Sequence, residues 1–165
     1  MSRITKIEQQ KKRKNRVNLY LDGEFRTGLY KDTLIEYNLY EGKEITEEEL
    51  RIIDEEEEIN RAKEKARNYL SYRLRSRKEV RDYLKSKEFS SSVIERVIDD
   101  FADANLLNDE EFAELWVRDR SKRNPKGNFA LRMELKQKGI SRNIIERVLK
   151  NVDEESNLNK SARSA

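Results

Sequence analysis

The sequence predicts a mainly α-helical protein, with tandem three-helix repeats in an elongated, solenoid-like module behind a small N-terminal β-hairpin/α domain. Three observations predict it. The apolar residues alternate with a strand period before Gly42 and follow a helical period after it. A block of the helical part recurs 51 positions later. The chain is also poor in apolar residues, at 35%, and rich in charge, at 42%, which favours small units with solvated faces over one deep core.

The first element pair is a hairpin. Val17, Leu19 and Leu21 alternate with Asn18, Tyr20 and Asp22, Phe25, Thr27 and Leu29 alternate on the return, and Asp22-Gly23 supplies the positive φ of a two-residue turn. Ile4 to Ile7 supplies a third strand, and Leu34, Ile35 and Leu39 a short helix that Gly42 ends. This places a small domain over 1–45. Thr46 to Glu49 matches a capping box and opens a long helix from about Glu47 to Leu74. Ile52, Ile59 and Ala66 recur on it every seven residues. Its Glu-rich first half and Arg/Lys-rich second half complement the helix dipole. Asp54 to Glu58 therefore reads as a solvated face, not a metal site.

The repeat is the most informative feature. Val80, Arg81, Leu84, Lys85, Lys87, Phe89, Ser90, Val93, Ile94, Glu95, Arg96, Val97 and Ile98 return as Leu131, Arg132, Leu135, Lys136, Lys138, Ile140, Ser141, Ile144, Ile145, Glu146, Arg147, Val148 and Leu149. Upstream, Ala66, Tyr69, Leu70 and Arg73 match Ala113, Trp116, Val117 and Arg120 at an offset of 47. The difference falls around Asn124 to Gly127, a turn-type sequence. Each copy reads as three helices with thin apolar stripes that lean on a neighbour. Ser76 to Glu79 caps the second helix of the first copy. Ser90 or a neighbour caps its third, Asn108 to Glu111 opens the second copy, and Gly139 permits a left-handed helix exit. The domains expected are 46–108 (linker helix and first repeat), 109–152 (second repeat) and 153–165 (a disordered tail without apolar periodicity).

Composition excludes several functions. There is no cysteine and no histidine, which removes disulfide and thiol chemistry, the commonest general base and the commonest zinc ligand. The five glycines are scattered and form no phosphate loop. No apolar run approaches the ~18 residues of a membrane span, and Met1 to Gln10 lacks a signal-peptide core. Asp109, Glu110 and Glu111 could be taken for a Mg²⁺ site, but in a first helical turn they point apart and complement the dipole. No enzyme, cofactor or metal site is expected.

The net charge is only +3, yet the charge is segregated. Lys6 to Lys31 is basic, with Lys11, Lys12, Arg13, Lys14 and Arg16 in one run. Glu41 to Glu58 is acidic, Arg61 to Lys87 basic, Asp99 to Glu114 acidic and Arg118 to Lys138 basic. One cluster is doubled. Arg73, Arg75, Arg77 and Lys78 follow the first helix of one copy, and Arg118, Arg120, Lys122, Arg123 and Lys126 follow that of the other. A charged cluster at the same place in both units makes a stripe that can track phosphates or acidic patches on a partner; single Arg and Lys residues there are equally explained as complements of helix C-termini. Trp116 and Tyr69 lie on apolar stripes and are expected in the core.

Three motifs carry a resemblance to a known family. Arg75-Ser76-Arg77-Lys78-Glu79 followed by Leu84 looks like an Arg-Ser-x-x-Glu-Leu opening. Leu106 to Phe112 is similar to a Tyr-Leu-Asp-Asp-x-x-Phe joint. Arg118 to Arg123, Gly127, Leu131, Glu134, Leu135, Lys138, Gly139 and Ile140 resemble the stretch ending Leu-x-x-Lys-Gly-Ile. In this order, over about Ala66 to Leu149, they resemble the RecX-family regulatory proteins, some of which also carry an N-terminal extension like the hairpin domain here. The resemblance implies a cytoplasmic, non-enzymatic protein that binds the groove of the RecA filament on single-stranded DNA and inhibits strand exchange, ATP hydrolysis and filament growth. Direct contact with DNA stays open, and a monomer is expected. The family usually has three such repeats, and this chain has two. The alternative is a helix-turn-helix DNA-binding protein. Its candidate recognition helices, Val93 to Phe101 and Ile144 to Val152, lack a continuous basic or amide-rich face, and Glu95, Asp99 and Asp100 repel phosphates.

Overall fold

A computed structural model describes residues 1–123 and 127–163, the side chains of 121–123, 156 and 159–163 excepted. The backbone falls into two compact units, Met1–Arg61 and Ala62–Ala165.

The first unit is a four-stranded antiparallel sheet in the order β3-β2-β1-β4, built from β1 (Ser2–Gln9), β2 (Arg16–Leu21), β3 (Glu24–Tyr30) and β4 (Glu44–Ile45). Asp22 (φ 50) and Gly23 (φ 86) make the β2–β3 turn with two left-handed residues, the backbone twist a two-residue hairpin needs. The third strand expected at Ile4 to Ile7 is present as β1. The two-residue β4 is additional, since Glu44 and Ile45 show no alternation of their own and are strand only because Arg3 and Ser2 pair with them. Val17, Leu19, Leu21 and Leu29 bury one sheet face together with Ile4, Leu39 and Ile45, and the short helix α1 (Lys31–Glu36) adds Leu34 at the margin.

Helix α2 (Glu47–Leu70) starts where the Thr46–Glu49 pattern places it, with the Thr46 hydroxyl accepting from the Glu49 amide at 3.1 Å. It ends at Leu70 rather than Leu74. Ser71 to Arg75 leave the helix so that Ser76 can cap the next one, and Leu74 is exposed. The seven-residue stripe is also corrected. Ile52 is exposed, while Leu50 and Ile53 pack into the sheet core, and Ile59, Ala62 and Ala66 form a second buried row further along. The buried positions thus change face along α2, which one heptad frame cannot describe.

The second unit contains α3 (Arg77–Ser86), α4 (Ser91–Asp103), α5 (Asp109–Arg123), α6 (Asn128–Gln137) and α7 (Arg142–Arg163), with no strand among its described residues. With the C-terminal half of α2 these make two three-helix sets. Val93, Ile94, Val97, Ile98 and Phe101 are buried along α4; Phe112, Ala113, Val117, Leu131, Leu135, Ile140, Ile145, Val148 and Leu149 form the core of the second set. The correspondence reaches individual ion pairs. Arg81 Nε donates to Glu95 Oε1 at 2.7 Å, and the residues 51 positions on, Arg132 and Glu146, make the same contact at 2.7 Å. Each ties the second helix of its set to the third.

The tail differs from expectation. α7 continues through 153–163, where disorder is expected from 153. No Gly or Pro interrupts it, Asp153 accepts from the Asn128 amide at 3.3 Å, and Glu155 pairs with Arg118 at 3.2 Å. These contacts are exposed and add little stability to the extension.

At Gly139 the backbone has φ +79, and an added Cβ would lie 2.5 Å from Cβ of Lys78. Replacing Gly139 by Ala is therefore expected to destabilise the second unit by about 2 kcal/mol, through left-handed strain and a contact that backbone must relieve. Urea denaturation measures this, and a loss under about 0.5 kcal/mol would show that the joint is soft. The equivalent residue in the first set is Glu88, also left-handed at φ 67.

Candidate partner-binding surface

The two sets of helices are locked together around Ser76. Its hydroxyl accepts from the Glu79 amide at 3.1 Å and donates to the Lys138 carbonyl at 2.7 Å, while the Glu79 carboxylate accepts from the Ser76 amide at 3.3 Å. The capping box is thus complete, and its hydroxyl proton is used across the joint. Asp109 accepts the Arg77 amide at 2.9 Å, so a residue of α5 caps an orphan amide of α3. Glu111 is capped by Asn108 at 3.1 Å. Asp109 serves a helix start and Glu110 pairs with Arg147 at 3.4 Å, and among the described residues no three acidic side chains converge as a cation site.

The basic residues singled out above lie on both sides of this joint. Arg73 pairs with Glu79 and donates to the Leu74 carbonyl at 2.7 Å. Arg75 stacks on the Tyr69 ring at 3.9 Å. The Arg77 side chain is exposed, with only its backbone amide engaged among the described contacts. Lys78 pairs with Asp82 at 2.9 Å. In the second set Arg118 pairs with Glu155, and Arg120 lies 4.6 Å over the Trp116 ring with Glu134 at 4.0 Å. Lys122 and Arg123 are in the last turn of α5, but their side chains fall outside the described residues, as does all of Lys126.

One participant lies outside both basic clusters, at the end of the basic block from Arg118 to Lys138. Lys138 reaches Glu79 at 3.6 Å and the Trp116 ring at 5.4 Å. Contacts therefore run from Arg73 through Glu79, Lys138 and Trp116 to Arg120, linking the two basic clusters across the joint. Its identity as the repeat partner of Lys87 was visible in sequence, its position against Glu79 was not. Burial pushes the Glu79 carboxyl up, but Arg73, the Ser76 amide and Lys138 outweigh it and hold the carboxyl below the usual carboxylate range. It stays ionised and keeps its cations in place.

Trp116 is half-buried and not fully enclosed. It stacks on Phe112 at 5.8 Å and packs on the second core from its margin, with its buried indole N–H lacking an acceptor among the described residues. In the first set the corresponding Tyr69 stacks on Tyr83 at 4.1 Å. Both aromatic faces are thus engaged by side chains of the chain itself, which argues against base-stacking there. The arrangement has no nucleophile paired with a base; it is a half-exposed, cation-rich surface around a rigid joint.

Comparison with known proteins agrees with this architecture. The regulatory protein RecX N-terminal domain family matches residues 2–46, the first three-helix domain of RecX residues 62–101, and the second three-helix domain of RecX residues 108–149. A protein named regulatory protein RecX from Listeria monocytogenes serotype 4a is 36% identical over 163 residues; the match covers 99% of this chain and 61% of that protein. The chain thus spans about three fifths of the length of this relative. The regulatory protein RecX of Clostridioides difficile strain 630 is 39% identical over 156 residues, covering 94% of this chain and 73% of the relative. A crystal structure of regulatory protein RecX superposes with a TM-score of 0.80 at 30% identity, over 92% of this chain and 74% of that one.

Proposed function

Because the chain belongs to the RecX family of regulatory proteins, we propose that it binds RecA nucleoprotein filaments on single-stranded DNA and restrains the recombinase and its ATP hydrolysis. The observation that carries this reading is the doubled cation cluster, joined across the repeat junction through Glu79 and Lys138. A filament presents the same surface at regular intervals, and a tandem repeat with its cations at matched positions offers successive contacts to it. The side chains of Arg73, Lys78, Arg118 and Arg120 are 43–53% exposed. The Lys78–Asp82 and Arg118–Glu155 pairs are exposed on both sides and worth little, so exchanging Asp82 or Glu155 for a partner's carboxylates or phosphates costs little stability.

The chain acts here by binding rather than by catalysis, in the cytoplasm and as a monomer, and it needs no cofactor. Among its described residues no helix is long and apolar enough to cross a membrane. The helix-turn-helix alternative has α4 against it, because Glu95, Asp99 and Asp100 lie on the surface it would present to phosphates. The test is RecA's single-strand-dependent ATP hydrolysis measured with increasing amounts of the chain. A saturating fall supports the reading. Unchanged hydrolysis, with the chain absent from sedimented filaments, contradicts it.

A further inference from the structure

The basic run at Lys11, Lys12, Arg13 and Lys14 has no part in the repeat surface. It forms the β1–β2 loop in the first unit, and all four residues are exposed. The loop projects from one end of a sheet whose two faces differ. Val17, Leu19, Leu21 and Leu29 point into the core with Leu50 and Ile53 of α2. Asn18 and Tyr20 of β2 with their neighbours Lys6, Glu8 and Phe25 belong to the outer face, while Arg16 and Gly28 further along are covered, Gly28 by Arg16 and Arg16 by Glu57 of α2.

That outer face is an aromatic platform. Tyr20 and Phe25 pair across the strands with ring centroids 5.8 Å apart and planes at 73°. Lys6 lies 5.5 Å over the Tyr20 ring. An ordinary cross-strand pair would account for Tyr20, which is half-buried, but Phe25 is 59% exposed. Glu8, beside them, accepts from the Tyr20 hydroxyl at 3.3 Å and pairs with Lys6 at 3.4 Å, so its charge is offset. Gln10 and Asn18, joined at 3.0 Å, bring amide groups to the ground between the rings and the loop. With a rise of about 3.3 Å per residue, Tyr20 stands about 13 Å along β2 from Arg16 beside the loop, a span of a few nucleotides of extended strand.

We propose that the outer face of the N-terminal sheet is a binding surface for single-stranded nucleic acid, with Phe25 and Tyr20 stacking bases and Lys11, Lys12 and Lys14 taking the backbone phosphates. Charge complementarity favours this occupant. Four consecutive cations about 13 Å along the strand from the exposed Phe25 and half-buried Tyr20 match a polyanion whose bases carry π faces, and sequence-tolerant single-strand binding is built from these two components. A duplex hides its base faces and leaves Phe25 without a partner. The proposal does not rest on the filament reading, because the strand it binds is bare.

The experiment uses the full chain, a short fluorescein-labelled oligo(dT) and the duplex of equal length, without RecA, across a salt series. The single strand is expected to bind more tightly than the duplex. Phe25→Ala is expected to cost about tenfold in affinity, and Phe25→Trp to retain binding. Reversing Lys11, Lys12 and Lys14 to Glu is expected to weaken binding strongly and flatten its salt dependence. Circular dichroism controls for folding, and the exposed Phe25 makes the Ala variant a mild one. Failure to bind bare oligo(dT), equal affinity of Phe25→Ala and the unaltered chain, or binding that survives the lysine reversal would each overturn the proposal. The last would move any strand binding to the arginines of the repeats. Filament co-sedimentation of Phe25→Ala keeps the two readings separate, since loss of oligo(dT) binding with retained sedimentation leaves the repeat surface intact.

Discussion

Replacing Arg16 by Ala is expected to cost about 3–5 kcal/mol of stability, the usual result of removing one partner from a buried ion pair. Arg16 Nη2 lies 2.8 Å from Glu57, with both side chains at most 10% exposed. The guanidinium reaches α2 by crossing Gly28, where an added Cβ would stand 3.2 Å from it, and its other face covers the Tyr30 ring at 4.3 Å. Glu57 also accepts from the Tyr30 amide at 3.4 Å. Burial pushes the Glu57 carboxyl up, and Arg16 only partly offsets this. The sign follows. A carboxyl raised on folding opposes stability where it is ionised, and that opposition fades as pH falls through its raised value and vanishes below the unfolded value near ~4.3. The deficit of Arg16→Ala should therefore be largest at neutral pH and shrink on acidification. Replacing the pair together, Arg16→Met with Glu57→Leu, should recover most of the loss, because two apolar side chains need no partner. Urea denaturation at neutral and acid pH checks all three. A neutral-pH loss under about 1 kcal/mol would show that water reaches the pair.

The second large effect is at the repeat junction. Trp116→Ala is expected to destabilise the second unit by about 3 kcal/mol, the low end for truncating a packed aromatic, because Trp116 packs at the margin of its core. Removing the ring also strips Arg120 and Lys138 of their common surface and loosens the link between the basic clusters. Trp116→Phe should cost far less. It keeps the contact with Phe112 and deletes a buried N–H that has no acceptor among the described residues. Comparable losses for Ala and Phe would mean that the indole N–H is engaged and that the ring is held by a polar contact.

Local signals were the legible ones. Asp22-Gly23, the Ser76–Glu79 box and Gly139 each specify a backbone conformation from two to four residues, and each is found in the structure. The repeat was legible because its copies share a scaffold down to Arg81–Glu95 and Arg132–Glu146. What escaped depends on partners far along the chain. β4 is strand only through Ser2 and Arg3, the buried positions of α2 change face along the helix, and the end of α7 meets Arg118 and Asn128. The basic clusters show the same division. Their doubling can be read from residue types, whereas their pairing with Glu79, Asp82, Glu155 and Glu134, and the entry of Lys138, are tertiary facts.

Co-sedimentation of a charge-reversed chain with RecA filaments measures whether the repeat surface is the proposed binding site. Arg77→Glu with Arg118→Glu alters one exposed cation in each set. Exposed charges contribute about 0–1 kcal/mol each to folding, so helicity and thermal stability should stay close to those of the unaltered chain. In an interface the same reversals replace attraction by repulsion and slow the encounter. The unaltered chain is expected to pellet with RecA filaments on single-stranded DNA, less so as salt rises and the screening length falls below about 10 Å, and the double variant to stay largely in the supernatant. Equal sedimentation of the two chains at every salt concentration, with normal helicity, would contradict that site.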